Sequence, residues 1–377
     1  MRRVCFFILL AGFFYGCQEQ KTPEQLFEER ASGVVVILNE FYYELIAPNG
    51  STWYFTGIDS DGVLENLTLD EEEIISHIKR MTGTGFFIDN KGTIMTNRHV
   101  AQPQLDKFQA KEAYLDFIKS AKLLLSITLN EMQDRYDELN RQRNSCVVYN
   151  SYTDEFVYDQ ERLDSIEHEK AEIAEEFENC SEAYESLNSM TDPESIRIST
   201  VCQLGIAYHD TYVTERDDFF KDNSCVVTKV SSKDDVDLAL IQLKNKTTPS
   251  KAFVFDIFGK DDDSESVIDQ AKALLLGNRD NKELTINQDL YMIGYNAGLI
   301  LANTREGIMA QMTSGKLTQL PDGQRLLYSI PTVQGSSGSP VIDADGNFVG
   351  VNFAKLNGSD NFNFGIPAKR VVAFYNE

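Results

Sequence analysis

The 377-residue chain is short of positive charge and of the residue patterns that bind metals. It has 35 Lys and Arg against 59 Asp and Glu, which gives a formal net charge of −24. Such a surface repels phosphate backbones and anionic lipid headgroups, so we expect no nucleic-acid partner. The six cysteines form no Cys-x-x-Cys pair, and only four histidines are present. We therefore expect neither a metal ion nor an organic cofactor.

The apolar run at the N-terminus is too short to span a bilayer. Residues 4–15 follow two arginines and end at Gly16-Cys17, which is the layout of a secretory leader. A cysteine at the end of such a run also resembles the cleavage site of bacterial lipoproteins. We predict that residues 1–16 are a signal peptide and that Cys17 carries the lipid, with a plain signal peptide as the alternative. The predicted location is extracytoplasmic, on a bacterial membrane.

Three separate segments carry the side chains of a serine-hydrolase triad. TGFFIDNKGTIMTNRHV contains His99, DVDLALIQL contains Asp237 and GSSGSPV contains Ser337. A serine hydroxyl needs an imidazole to take its proton, and a carboxylate behind the ring fixes the tautomer and stabilises the imidazolium. We therefore predict that Ser337 attacks, that His99 is the base and that Asp237 orients His99.

The glycines around Ser337 meet the remaining requirement of this chemistry. Backbone N–H groups must point at the oxygen of the tetrahedral intermediate, and Gly335 and Gly338 permit the tight turn that aims them. We predict the amides of Gly335 and Ser337 as the oxyanion donors. Hairpin patterns precede His99 and follow Ser337, so we expect loops held by β-structure.

Together these motifs resemble the trypsin-like proteases of the chymotrypsin fold, in particular the bacterial HtrA (Deg) and glutamyl-endopeptidase branches. The resemblance implies two six-stranded antiparallel β-barrels and an endopeptidase that forms an acyl-enzyme. Its pattern selects Ser337 over Ser336 and Ser339 as the nucleophile. The matching stretches are GTGF at 83–86, TNRHV at 96–100, DLAL at 237–240, YMIG at 291–294, GSSGSP at 335–340 and NFNFGIP at 361–367.

Three departures from the family limit what the resemblance implies. Ser336 stands where the digestive enzymes have an aspartate that pairs with a new N-terminus, so we expect no activation of that kind. Asn352 stands where glutamyl endopeptidases have a histidine, so no preference for glutamate is carried over. About ten residues follow the closing motif, so we expect no PDZ domain. The remaining histidines, which compete with His99 for the role of base, have no comparable loop setting: His77, His168 and His209.

A long insertion separates the histidine from the aspartate. His99 and Asp237 lie 138 residues apart, against roughly 45 in the digestive enzymes. Residues 105–144 and 157–190 are poor in Gly and Pro and repeat apolar residues at intervals of three and four, which predicts an antiparallel helical hairpin of coiled-coil type. It would be roughly 50 Å long, with a turn around Asn150-Ser151 and an acidic outer face. Lys170 is the one polar residue in its apolar seam. The hairpin could bind a protein partner, gate the cleft or serve as a packing element.

Four cysteines would remain after removal of the leader and lipidation of Cys17, in a location that permits disulfides. They allow three pairings. Cys202 and Cys225 lie in or beside segments that could be adjacent strands, so we favour a bridge between them. A bridge between Cys146 and Cys180 is disfavoured because the hairpin would place them beyond disulfide reach.

These patterns predict a membrane-tethered serine endopeptidase that cleaves proteins or peptides. The alternatives are an inactive pseudoprotease that acts as a scaffold through its helical hairpin, and a hydrolase of non-peptide esters. The predicted organisation is mostly β: a signal peptide (1–16), a lipid-anchored tether (17–31), a first barrel (32–104 and 195–250), the inserted hairpin (105–194), a linker (251–284) with a helix at 267–275, and a second barrel (285–377). Within the first barrel, a short helix is predicted from Asp70 to Arg80.

Overall fold

The computed structural model describes residues 21–259, 284–355 and 363–377. The predicted signal peptide, Cys17 and the predicted linker helix lie outside these ranges. The described residues form two compact units, one with the chain up to Leu38, Thr82–Ala101 and Leu204–Glu377, the other with Asn39–Met81 and Gln102–Gln203.

Strands dominate the first unit and helices the second. The strands are β1 (Val34–Ile46), β2 (Thr52–Phe55), β3 (Gly57–Ile58), β4 (Leu64–Glu65), β5 (Lys79–Phe87), β6 (Thr93–Thr96), β7 (Val147–Asn150), β8 (Glu155–Tyr158), β9 (Arg197–Tyr208), β10 (Ser224–Val230), β11 (Ala239–Leu243), β12 (Asp289–Gly294), β13 (Asn303–Thr304), β14 (Gly307–Ile308), β15 (Gln311–Gln319), β16 (Leu326–Tyr328), β17 (Pro340–Asp343), β18 (Phe348–Lys355) and β19 (Asn363–Pro367). The helices are α1 (Pro23–Arg30), α2 (Glu71–Ser76), α3 (Arg98–Ala101), α4 (Lys107–Ser145), α5 (Gln160–Asn188), α6 (Leu299–Ala302) and α7 (Ala368–Asn376), with 3-10 turns at Ala31–Gly33 and Arg216–Phe219.

The two predicted six-stranded antiparallel barrels are confirmed. The first closes in the order β1-β5-β6-β11-β10-β9 and back to β1, and β2 adds to β1 outside the ring. The second closes in the order β12-β15-β16-β19-β18-β17. Closure leaves no exposed sheet edge within either ring. Fully buried side chains such as Ile37, Phe87 and Ile241 fill the first barrel, while Met292, Tyr328 and Val341 are among those that fill the second.

The N-terminal segment is a packed helix where the sequence predicted a tether to residue 31. Thr22 caps α1 with a capping box. Leu26 is fully buried, and the Arg30 guanidinium donates to Gly346 O at 2.8 Å and lies over the ring of Phe253. The tether prediction is therefore wrong for residues 22–31. Leu26 and Arg30 are four residues apart, so they lie on the same face of α1, and their contacts anchor that face.

A second local prediction needs correction. The sequence predicts a helix from Asp70 to Arg80, but α2 ends at Ser76 and Lys79 already belongs to β5. Asp70 caps the helix through the backbone N–H of Glu72. Arg80 instead pairs with the buried carboxylate of Glu40 at 2.8 Å, a tertiary contact that the local pattern does not contain.

The predicted helical hairpin is present as α4 and α5. Its turn, predicted around Asn150-Ser151, is formed by the two-stranded β7–β8 sheet. Leu139, Cys146 and Ile166 are buried between the helices, and the one polar residue of the predicted seam, Lys170, lies over the ring of Tyr136. Within the described ranges, no helix combines the length and apolar character needed to cross a membrane.

The predicted Cys202–Cys225 bridge is not formed, and all four described cysteines are free thiols. Strand pairing places Leu204, not Cys202, opposite Cys225. The two thiols also pack in different apolar clusters. Burial raises the pKa of Cys202 to about 11 and that of Cys225 to about 12, so both remain protonated at neutral pH and are poor nucleophiles.

His209 makes the stability of the first unit depend on pH. Its Nδ1 accepts the N–H of Ala310 at 3.1 Å, and its ring packs edge-on against Phe27. Burial lowers the pKa of His209, against the weaker opposing effect of Asp210. Because the unfolded chain then binds the proton more readily, stability is lost as pH falls below the ordinary histidine pKa of about 6.5.

We predict that His209→Asn reduces this loss, because the asparagine oxygen can accept the same N–H and does not titrate. Urea unfolding at about pH 7.5 and about pH 5.5 should show a smaller fall in the free energy of unfolding for the variant. Equal falls in the two proteins would contradict the role of His209.

Candidate active site

Strand pairing brings together the segments that carry His99 and Asp237. β6 and β11 are antiparallel neighbours, and Thr96 at the end of β6 faces Ala239 at the start of β11. His99 follows Thr96 closely on the short helix α3, and Asp237 lies just before Ala239. The histidine and the aspartate therefore lie at the same edge of the first barrel.

The Asp237 carboxylate contacts His99 twice. Oδ2 lies 2.6 Å from Nδ1 of the ring, and Oδ1 accepts the backbone N–H at 3.0 Å. Because an ionised carboxylate can only accept, this contact places a hydrogen on Nδ1, and in the neutral imidazole the lone pair then lies on Nε2. The side chain of His99 is 34% exposed and that of Asp237 is 20% exposed. The imidazole can therefore meet a substrate while its carboxylate partner stays more shielded.

Asn97 fixes the backbone of the aspartate. It is fully buried, and its Nδ2 donates to the carbonyl oxygen of Asp237 at 2.8 Å. Its own carbonyl accepts from Ala101 N–H and so helps to start α3. Asn97 thus holds the segment before β11, which carries the carboxylate, to the helix that carries the imidazole.

The Ser337 loop lies against Thr84 of β5. The backbone N–H of Thr84 donates to Ser337 O at 2.8 Å, and its hydroxyl donates to Gly335 O at 2.8 Å. The carbonyl of the same threonine accepts from the Thr96 hydroxyl at 2.7 Å. One buried threonine therefore connects the proposed nucleophile loop to the end of the strand that leads to His99.

Gly338 shows how closely this loop approaches the histidine segment. Its φ is +87°, and a β-carbon there would lie 2.1 Å from Thr84 O and 3.2 Å from the backbone nitrogen of Asn97. Only glycine fits this conformation and this spacing without strain. The residue after Ser337 thus packs beside the residue two before His99, so the loop that carries Ser337 lies next to the segment that leads to His99.

The oxyanion donors predicted from the sequence are free to donate to the oxygen of a ligand. In the described part of the chain, the N–H groups of Gly335 and Ser337 have no acceptor. Within the described residues, the half-buried Ser337 side chain makes no hydrogen bond to His99 Nε2. Such contacts are often long in free enzymes and tighten only in the complex with substrate.

The rival residues have other roles. The Ser336 hydroxyl is buried and donates to Val333 O at 2.7 Å, while the Ser339 hydroxyl is buried without a partner in the described chain. His77 caps the end of α2 and His168 is exposed on α5. In residues 21–259, 284–355 and 363–377, no group of three or more His, Cys, Asp or Glu side chains is placed to hold a metal ion.

Sequence reasoning missed two residues that hold the site. Thr84 belongs to the GTGF motif, which served there only as a family marker, and Asn97 belongs to TNRHV. Thr84 lies in β5 and Asn97 directly follows β6, and both are fully buried, as polar residues are when they are hydrogen-bonded. Their partners lie far away in the chain, so the local pattern carries no signal for them.

Two barrels, with a histidine–aspartate pair beside a glycine-flanked serine, form an arrangement similar to that of trypsin-like peptidases. Residues 198–351 match the family described as "Trypsin-like peptidase domain", which confirms the resemblance drawn from the motifs. The match covers less than half of the chain. It includes Asp237 and Ser337, whereas His99 lies before the insertion and outside it.

Solved structures give weak overall likenesses to proteases, and no curated protein matches the chain. The serine endoprotease from Yersinia pestis is 12% identical, with 94% of this chain and 66% of that chain covered and a TM-score of 0.41. The Rv3671c protease from M. tuberculosis, in its active form, is 13% identical (93% and 82% covered, TM-score 0.39). Deg5 is 15% identical (93% and 90% covered, TM-score 0.37). The fold assignment itself comes from the strand topology.

Gly338→Ala should be far more costly than a matched glycine substitution. Gly323 has a similar φ of +83° but nothing within 4 Å of its absent β-carbon. We expect Gly323→Ala to cost about 1–2 kcal/mol from backbone strain alone, and Gly338→Ala roughly 3 kcal/mol or more because it also strikes Thr84. Urea unfolding of both variants measures the difference, and equal losses would contradict the close packing.

Proposed function

We propose that the chain is a serine endopeptidase with Ser337 as nucleophile, His99 as general base and acid, and Asp237 as the carboxylate that orients His99. The double contact between the Asp237 carboxylate and His99 supports this proposal most directly. It leaves the imidazole lone pair on Nε2, which is the atom a base must offer to a hydroxyl.

The proposed reaction has an acylation stage and a deacylation stage. Ser337 Oγ attacks the carbonyl carbon of a peptide bond while His99 Nε2 takes its proton, and the carbonyl oxygen becomes an oxyanion held by the N–H groups of Gly335 and Ser337. The intermediate collapses, the C–N bond breaks and the imidazolium returns its proton to the leaving amine. A water molecule then attacks the acyl-enzyme with the same base, and the acid product and Ser337 are released.

A second candidate function is a scaffold that binds through the helical hairpin. The observation that favours it is the exposed sheet at the tip of the hairpin, where Tyr152 is 98% exposed and Phe156 is 65% exposed. Large apolar side chains that cluster on a surface mark interaction sites in many proteins. This function is compatible with an active peptidase, and it alone remains if the catalytic residues are inert. The third candidate function is hydrolysis of non-peptide esters.

The location is also a proposal. The sequence of the leader supports secretion and lipidation at Cys17, which would tether the enzyme outside the cytoplasm. If so, Cys17→Ser should move the protein from the membrane fraction to the soluble fraction and remove the acyl mass from its N-terminus. A wild-type protein without that acyl mass would contradict the tether.

The decisive experiment is active-site labelling. A fluorophosphonate probe should label the wild-type protein, and Ser337→Ala should abolish labelling and peptide hydrolysis. Ser339→Ala, which removes a buried hydroxyl without a partner in the described chain, should still be labelled. A folded wild-type protein that is never labelled favours the scaffold. If the wild-type protein is labelled, its activity on a library of peptides and simple esters distinguishes an endopeptidase from an esterase.

A further inference from the structure

A chain of buried hydrogen bonds runs from Tyr328 through Asn352 to the residue before Ser337. The Tyr328 hydroxyl donates to Asn352 Oδ1 at 2.7 Å, and Asn352 Nδ2 donates to Ser336 O at 3.0 Å and to Ser336 Oγ at 3.2 Å. Ser336 Oγ in turn donates to Val333 O. Tyr328, Asn352 and Ser336 are each no more than 2% exposed, so water cannot replace these bonds.

The direction of every bond in this chain is fixed. Burial raises the pKa of Tyr328 well above its usual range, so the phenol keeps its proton and acts as a donor. The Ser336 carbonyl oxygen can only accept, so the Asn352 atom that faces it at 3.0 Å is the NH₂ group. The amide oxygen then faces the Tyr328 hydroxyl, which also lies 3.1 Å from Phe364 O. At Ser336 the NH₂ group meets a carbonyl oxygen and a hydroxyl oxygen, both of which can accept.

Asn352 also brackets Ser337 through its backbone. Gly338 N–H donates to Asn352 O at 2.9 Å, and Asn352 N–H donates to Ser339 O at 2.9 Å. With the bond from Thr84 to Ser337 O, the peptide after Ser337 is held on both sides. The peptide before Ser337 depends on the Asn352 side chain and on one further bond, from Ser339 N–H to Ser336 O at 3.1 Å.

That preceding peptide carries one of the two proposed oxyanion donors. In a trans peptide the C=O and N–H groups point in opposite directions. When Asn352 holds Ser336 C=O toward the barrel interior, the N–H of Ser337 is turned away from the interior, and it has no acceptor in the described part of the chain. We propose that Tyr328 and Asn352 are positioning residues that orient the Ser336–Ser337 peptide and thereby aim the Ser337 N–H at the oxyanion.

This inference rests on the proposed function of Ser337, so its test uses the intact protein and measures catalysis and folding separately. Asn352→Ala removes both bonds to Ser336, and Tyr328→Phe removes the hydroxyl that faces the amide oxygen and also contacts Phe364 O. Loss of an oxyanion donor lowers kcat by about 10²–10³. We expect a fall in kcat of about 100-fold for Asn352→Ala and about 10-fold for Tyr328→Phe, with KM within about twofold of wild type, since only the transition state carries the oxyanion.

Tyr295→Phe is the matched control. Tyr295 is also fully buried, and its hydroxyl donates to Val34 O at 3.1 Å. This variant should lose a comparable amount of stability in urea unfolding but keep its kcat. Because Tyr328 acts through Asn352, Tyr328→Phe should lower kcat little further in the Asn352→Ala background.

The outcomes separate the two claims. If the wild type neither hydrolyses peptides nor reacts with a fluorophosphonate, the proposed function fails. If the wild type is active and Ser337→Ala is not, but Tyr328→Phe and Asn352→Ala keep the kcat of Tyr295→Phe, the positioning role fails alone. A rise in KM at unchanged kcat would also overturn it, since it would place Asn352 in substrate binding instead.

Discussion

The candidate site depends on the pairing of β6 with β11. This register places the Asp237 carboxylate against both the ring and the backbone of His99. A shift of one residue would turn the side chains of either strand to the opposite face, and the carboxylate would no longer reach the imidazole. The apolar side chains that fill the barrel fix this register. Through the register they keep the Asp237 carboxylate at Nδ1 of His99, which determines the tautomer of the proposed base.

The same pair is separated in sequence by a long insertion, and the fold accommodates it at little cost. The entropy of loop closure grows only with the logarithm of length. The insertion is also an antiparallel hairpin, so it returns the chain close to where it left. Lys111 near the start of α4 donates to Pro193 O, beyond the end of α5, at 3.0 Å. The helices have an apolar seam of their own, and the start of α4 also packs in one apolar cluster with residues of β1 and β2.

Local patterns predicted the elements well and the contacts between distant residues poorly. The three-and-four spacing of apolar residues predicted α4 and α5 within a few residues, because helical periodicity is a local property. The same reasoning extended α2 too far, missed α1 and paired Cys202 with Cys225. In each case a distant partner decides the outcome: Glu40 for Arg80, Gly346 for Arg30 and Leu204 for Cys225.

The sequence by itself determined which side chains could carry the chemistry. His99, Asp237 and Ser337 follow from motif and residue type, since few side chains can serve as base, orienting group and nucleophile. Only the tertiary structure decided how the backbone around Ser337 is held. Thr84, Asn352 and Tyr328 act through a few hydrogen bonds to residues elsewhere in the chain. Such bonds depend on barrel closure and strand register, which no local pattern contains.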